Sequence, residues 1–278
     1  MTKIYPKTCS NLRGIRTLKK YVDTYQGIEI QMIDFNKKRL EFNIIEPVES
    51  TMLLFPNIKE IVIHLPLDFC NISYFVMKGI DFITPLLEDA KKMSNENDIS
   101  ICLLFHIYDD VDIVKLTMLP FLNKMLDIIK GYNITILLEN VYMVETEKCT
   151  VSNLEVCKFM GNKQLKACID ICHIHSYCNI FKKDINLFMK EKYKIKDCEK
   201  YIKQMHFSAA INNDGYKDYQ THSRKHETRL ELTQDAELLS KYGMRNKIFV
   251  IEICEDDYNT RKDQIEEIET LEDVMKII

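Results

Sequence analysis

Six short apolar runs in the sequence each end on an imidazole or a carboxylate. Ile61-Val62-Ile63 leads into His64, the run 101–105 into His106, the run 134–138 into Glu139, and Lys166-Ala167-Cys168-Ile169 into Asp170. The run 202–205 leads into His206 and the run 248–251 into Glu252. Imidazole and carboxylate are the ligands expected for zinc or manganese in hydrolytic and isomerising sites. A carboxylate such as Glu139 can bridge two ions, one per oxygen. Two ions roughly 3.5–4 Å apart lower the pKa of a shared water and stabilise both oxygens of a phosphoryl displacement. A single histidine at a strand end is more often a hydrogen-bonded rim residue, and Asp or Glu there often caps the following helix. Neither habit explains ligand types at the same end of all six runs, so a convergent metal site is expected. Among the acids, Asp170 in Cys168-Ile169-Asp170-Ile171-Cys172 has the fewest other reasons to be where it is. His173 can join it only if the chain has already turned out of the strand. His222, sixteen residues after His206, is a further candidate, whereas His175 and His226 stand at no strand end and are left out of the set.

The elements that would carry these residues alternate. A strand-like Gly27–Met32 precedes the first run, and helical periodicity follows the later ones: 73–93, 112–130 with Gly131 as its stop, 152–160 with Gly161 behind it, 182–192, 233–242 ending at Gly243, and 260–278. Strand and helix in regular alternation predict a parallel sheet covered by helices. Apolar runs suit strands buried on both faces, and charged or imidazole groups are tolerated where strands emerge at the carboxyl end. Seven strands are plain. The eighth is expected between His206 and Ile248, near Asp218–His222, completing a (β/α)8 TIM barrel with the metal site at the C-terminal ends of its strands. With no Gly/Ser-rich or Pro-rich linker and no repeat, residues 1–278 read as a single domain.

Composition agrees with a globular enzyme. The 278 residues are close to the roughly 250 of such a barrel, and 46% hydrophobic with 29% charged residues is ordinary for a soluble chain. The opening Met1–Pro6 has no signal-like apolar segment, and no run is long enough to span a bilayer. The ten cysteines form no CxxC pair and several lie inside apolar runs, so reduced, packed thiols and a cytoplasmic location are expected, with no membrane and no protein partner. A net charge of −4 gives no general attraction to nucleic acid, so a nucleic-acid partner would have to meet a local basic surface.

The residues also carry a resemblance. The set is similar to the xylose-isomerase-like barrel superfamily, and within it to the endonuclease IV branch of apurinic/apyrimidinic endonucleases (AP endonuclease family 2). Cys168-Ile169-Asp170-Ile171-Cys172-His173 resembles that family's Ile-Asp-Thr-Cys-His segment, Ile61–Pro66 its His-Ala-Pro strand end, and Leu138-Glu139-Asn140 its Leu-Glu-Asn. The family holds three zinc ions. Carried over by position, His64, His106 and Glu139 would hold one, Glu139, Asp170, His206 and Glu252 a second, and His173 with His222 the third. The family's third ion also takes an aspartate where this chain has Gln220, a poorer zinc ligand, so two or three ions are implied, the third weak, absent or served by Asp218. Val141-Tyr142-Met143 and Ser223-Arg224-Lys225-His226 replace Gly-containing loops of the family. Leu67 stands where the family has an aromatic residue that engages distorted DNA, with Phe69 and Tyr74 nearby.

The resemblance implies a zinc-dependent phosphodiesterase that cleaves damaged double-stranded DNA at apurinic/apyrimidinic sites. A hydroxide generated at the metals would attack phosphorus, Glu139 or Glu252 would position it, and Arg224, Lys225 and Arg229 would contact phosphate. A second reading is a sugar or sugar-phosphate isomerase or epimerase. It would use one Mn2+, Mg2+ or Co2+ on Glu139, Asp170, His206 and Glu252, with the two glutamates moving protons. A third is a barrel that keeps the metal and has lost catalysis.

Overall fold

A computed structural model describes residues 2–32, 43–66, 71–107, 114–141, 152–194, 197–210 and 224–278. Eight parallel strands close into a barrel in sequence order: β1 Lys3–Cys9, β2 Gly27–Gln31, β3 Glu60–His64, β4 Ser100–Ile107, β5 Ile134–Asn140, β6 Leu165–Asp170, β7 Ile202–Phe207 and β8 Ile248–Ile251. Seven of these are the strands read from the sequence. The eighth is not between His206 and Ile248. β7 pairs directly with β8, and β8 with β1, so the barrel closes through the N-terminal strand, and Asp218–His222 lies outside the described residues. Lys3-Ile4-Tyr5-Pro6-Lys7 hides this strand because two lysines and a proline interrupt its apolar pattern. Lys7 and Tyr5 are nonetheless buried.

The packing has two compartments. Most buried apolar side chains lie between the strands and the surrounding helices, including Ile61, Ile63, Leu103, Phe105, Leu138, Ile169 and Phe249. A smaller group, Val62, Cys102, Leu104, Leu137 and Cys168, fills the barrel itself. Both faces of each strand are thus occupied, which is why the runs read as continuously apolar. Above the inner group stand the residues that end the runs.

Register and local caps set where those ends project. His106 is paired with Glu139 and Asp170 with His206. β7 carries a bulge at Lys203, since Ala167 is paired with Ile202 but Cys168 with Gln204. The extra residue reverses the in–out alternation of the strand. Ile202 packs outward with the helices, while Gln204 and His206 both reach into the barrel, and Lys203 itself bonds Glu60 at 2.5 Å.

Among the described residues the helices differ from the sequence reading at their ends. The stretch 73–93 is two helices, Ile72–Lys78 and Ile80–Asn97, split at Gly79 with φ 87°. The helix expected at 152–160 is Asn153–Met160, closed by a reciprocal cap between Ser152 and Glu155. A similar cap between Thr228 and Glu231 starts the helix expected at 233 four residues earlier, as Arg229–Lys241. Residues 171–180 form a helix not foreseen, Ile171–Ile180, because Asp170 accepts from the His173 backbone N–H and starts it at once.

The barrel floor generates a test. A Cβ added to Gly27 would fall inside the Tyr5 ring, which is fully buried. Gly27→Ala is expected to destabilise the fold by about 1–3 kcal/mol through overpacking. Urea unfolding of the variant checks this, and a midpoint equal to that of the parent would contradict it.

Candidate metal centre

Glu139, at the end of β5, is buried, and its two oxygens face two different sets of groups. Oε2 lies 3.3 Å from His64 Nε2 and 3.4 Å from His106 Nε2. Oε1 lies 3.0 Å from His206 Nδ1 and 3.8 Å from His173 Nε2. Among the described residues no donor is aligned to hydrogen-bond Oε2. A fully buried carboxylate oxygen left in that state is costly. The six residues that end the apolar runs therefore come together, in two overlapping groups whose ligand atoms are mutually close: His64, His106 and Glu139, and Glu139, Asp170, His206 and Glu252.

The proton positions implied by the neighbours suit cation binding. His64 Nδ1 faces the Leu65 carbonyl at 2.9 Å and can only donate to it, which leaves Nε2 as a lone pair. That lone pair points at His106 Nε2, 3.4 Å away, and at Glu139. Burial and, after it, the Lys7 ammonium lower the His64 pKa, so the ring is held neutral. His206 is oriented in the same way from the other side. Its Nε2 lies 3.0 Å from Glu29 Oε2, and its Nδ1 faces Glu252 Oε2 at 2.6 Å, Glu139 Oε1 at 3.0 Å and Asp170 Oδ2 at 3.7 Å.

Three carboxylates around one ring nitrogen need a positive charge among them. Without a cation, the imidazole supplies it. Burial opposes charge on His206, but Cys168 and the carboxylates of Glu139, Glu29 and Glu252 raise its pKa well above the imidazole range. Cys168 is itself pushed up to about 12 by burial, so it stays a thiol and the carboxylates are the charged partners. Burial likewise opposes ionisation of Glu139, yet the rings of His206 and His106 hold it well below the usual carboxylate range. For Glu252 the Lys7 ammonium and then His206 outweigh burial in the same direction. A divalent cation would replace the shared proton. The donors, their tautomers and the unbonded Glu139 oxygen all fit such an ion.

Asp170 divides its oxygens. Oδ1 accepts from the His173 N–H at 2.9 Å and caps the helix, while Oδ2 faces His206 and, at 3.6 Å, His173 Nε2. The cap and the candidate ligand are thus the same residue, and the immediate turn into helix is what brings His173 beside it. Asn140 ties the end of β5 to β6, donating to the Asp170 carbonyl at 3.0 Å and accepting from the Asp170 N–H at 2.8 Å. Asn153 performs a similar service one layer out, donating to the carbonyls of Leu138 and Cys168.

His222, Asp218, Gln220, Leu67 and Phe69 lie outside the described residues. Of the proposed phosphate contacts, Arg224 is exposed, and its backbone exchanges two hydrogen bonds with Ala209. Lys225 is engaged by Asp263, at 3.0 Å, and Glu266, and Arg229 is exposed at the start of its helix. Tyr74 packs edge-on against Phe75 and Phe82. Two residues beside the candidate ligands escaped the sequence reading. Glu29 sits in mid-strand on β2, and Lys7 lies on the strand that was missed. Their only sequence signal is a charge set inside a short apolar stretch.

His175 and His226 form a separate cluster. Asp235 accepts from His175 Nε2 at 2.7 Å and from His226 Nε2 at 3.2 Å, and His226 Nδ1 bonds Glu267. Burial opposes charge on His226, but Asp235 and Glu267 raise its pKa to about 9. A raised folded-state pKa adds stability that is complete below about 6.5 and lost as pH rises through about 9. His226→Asn is therefore expected to cost about 2–3 kcal/mol at pH 6 and far less at pH 10. Urea unfolding of parent and variant across that range tests this, and a pH-independent difference would contradict it.

Residues 67–274 match the family model described as the xylose isomerase-like TIM barrel. No curated protein sequence matches the chain. Solved structures with the same fold include the IolI protein with a bound zinc atom, 15% identical with TM-score 0.60, covering 97% of this chain and 96% of that one. Endonuclease IV from Thermus thermophilus is 10% identical with TM-score 0.58, covering 99% of each chain. D-psicose 3-epimerase from Clostridium cellulolyticum is 12% identical with TM-score 0.56, covering 98% of this chain and 96% of that one. At these identities the likeness is one of fold. Among the described residues no helix is long and apolar enough to cross a membrane.

Proposed function

The chain belongs to the xylose isomerase-like TIM barrel family, and from that premise we propose that it is a phosphodiesterase resembling endonuclease IV, using two or more zinc ions to cleave damaged double-stranded DNA at apurinic/apyrimidinic sites. The observation that carries this reading is the split of Glu139, one oxygen facing His64 and His106 and the other facing His206. A site for a single cation has no use for the first of these groups. Charge supports the same reading. Glu29, Glu139, Asp170 and Glu252 against Lys7 leave three negative charges uncompensated when the imidazoles are neutral. One divalent cation would leave the site negative. A pair would leave it positive, which suits an anionic phosphodiester.

Cations held there would supply an acidified water and neutralise charge on the phosphate and the leaving oxygen. The chain's own residues do the positioning. Asp170, whose Oδ1 accepts from the His173 backbone N–H, and His206, bonded to Glu29, cannot rotate their side chains without breaking those hydrogen bonds. Glu252 is the most exposed member of its quartet and lies nearest the mouth, where it can hold a water and take its proton. Of the three basic residues expected to contact phosphate, Arg224 and Arg229 are exposed, while Lys225 is engaged by Asp263 and Glu266.

The engagement of Lys225 favours the second reading, a sugar or sugar-phosphate isomerase or epimerase with one Mn2+, Mg2+ or Co2+ on the quartet and Glu139 with Glu252 as the proton-moving pair. The two readings differ in metal content and in substrate. Under the first, the purified protein carries two or three zinc per chain and nicks a duplex with one abasic site. Glu139→Gln is then expected to lose that cleavage by on the order of 100-fold or more. Elemental analysis with a gel-based cleavage assay tests this, and absence of cleavage at full metal occupancy would remove the nuclease reading.

A further inference from the structure

Beneath the quartet lies a cation that the ligand set does not account for. Lys7 rises from β1 into the barrel with its side chain only 6% exposed, and its ammonium lies 2.9 Å from Glu29 Oε1 and 2.5 Å from Glu252 Oε1. Two acids from strands on either side of β1 are thereby tied to one lysine. Glu252 is left with Oε2 alone to face the space it shares with Glu139, Asp170 and His206. Glu29 is engaged on both oxygens, Oε2 by hydrogen bonds with Gln204 Nε2 and His206 Nε2, and Oε1 by the Lys7 ion pair alone, with no aligned hydrogen bond among the described residues. Yet Glu29, His64 and His206 are themselves close enough to chelate an ion. Without Lys7, a divalent cation would find an extra oxygen on Glu252 and a competing position deeper in the barrel.

We propose that Lys7 is a positioning residue that confines the bound cation to the upper site, limiting Glu252 to one ligand oxygen and keeping Glu29 out of the ligand set. The inference rests on the reading that the quartet holds a divalent cation, and it is independent of which reaction follows. Its physical basis is twofold. An ammonium bonded to a carboxylate oxygen denies that oxygen to a metal. A fixed positive charge beside the site also weakens cation binding, because like charges at close range in a buried site repel strongly.

Cobalt(II) serves as the probe, because its visible absorption is strong with four or five ligands and weak with six. Affinity is read by chelator competition and coordination by the spectrum, in the parent chain, Lys7→Met and Lys7→Met/Glu29→Gln. Lys7→Met is expected to bind cobalt at least about tenfold more tightly, with weaker absorption as freed oxygens join the ion. The double variant removes one charge of each sign, so its affinity should return to near that of the parent while the spectrum stays altered by the freed Glu252 oxygen. If Lys7→Met proves too unstable to purify, the double variant decides the matter by its spectrum against that of Glu29→Gln alone, because Glu29 also bonds His206; equal spectra for those two variants would overturn the role of Lys7. Parental affinity and spectrum in Lys7→Met, or a parental spectrum in the double variant, would overturn the role of Lys7. A parent chain that binds no cobalt would instead overturn the cation site, and the inference with it.

Discussion

Four carboxylates, from Glu29, Glu139, Asp170 and Glu252, are held in and just above a barrel core of Val62, Cys102, Leu104, Leu137 and Cys168. Buried acids at such separations repel one another and resist ionisation unless positive charge lies among them. Here the Lys7 ammonium binds two of them, and His206 stands between Glu29 and the other three. The pKa directions describe the same balance, with Glu29 held down to about 2 by His206 and Lys7 against the opposing effect of burial. A cluster with this much uncompensated charge is a poor way to stabilise a fold. It is a good way to hold divalent cations.

The barrel makes the arrangement possible by fixing donors from six strands before any ligand arrives. Parallel register sets His106 against Glu139 and Asp170 against His206. Asn140 and Asn153 then fasten β5 to β6 through backbone groups at and below the rim. The Lys203 bulge matters as much as any ligand, since an unbroken alternation from the outward Ile202 would carry His206 to the helix side of the sheet. Preorganisation of this kind spares the site the reorganisation that a flexible chelator would undergo on binding.

How much of this could be read from the sequence depends on the polarity of each strand. β3, β4, β5 and β8 end in unbroken apolar stretches, 61–63, 101–105, 136–138 and 248–251, and β6 in the shorter 167–169, so the next polar residue marks the rim. β7 is interrupted by Lys203 and Gln204, and His206 stood out only beside the other five candidates. β1 was not, because Lys7 is buried in ion pairs and looks like a surface residue, and because Pro6 interrupts the run. Glu29 was hidden by its place in mid-strand, flanked by Ile28 and Ile30. The helix Ile171–Ile180 was missed because Asp170 is both a candidate ligand and the helix cap, and the periodicity that would announce a helix begins immediately after it. Asp235 and Glu267 could not be matched to His175 and His226 either, since they lie on helices remote in sequence and only tertiary packing joins them.

The proposed function depends on Glu139 bridging two cations. The most direct measurement is diffraction from zinc-soaked crystals at wavelengths on either side of the zinc absorption edge. Two anomalous peaks are predicted, one among His64, His106 and Glu139 Oε2, the other among Glu139 Oε1, Asp170, His206 and Glu252. A single peak in the quartet with Glu139 Oε2 still facing two empty imidazoles, or no peak at either position, would contradict it.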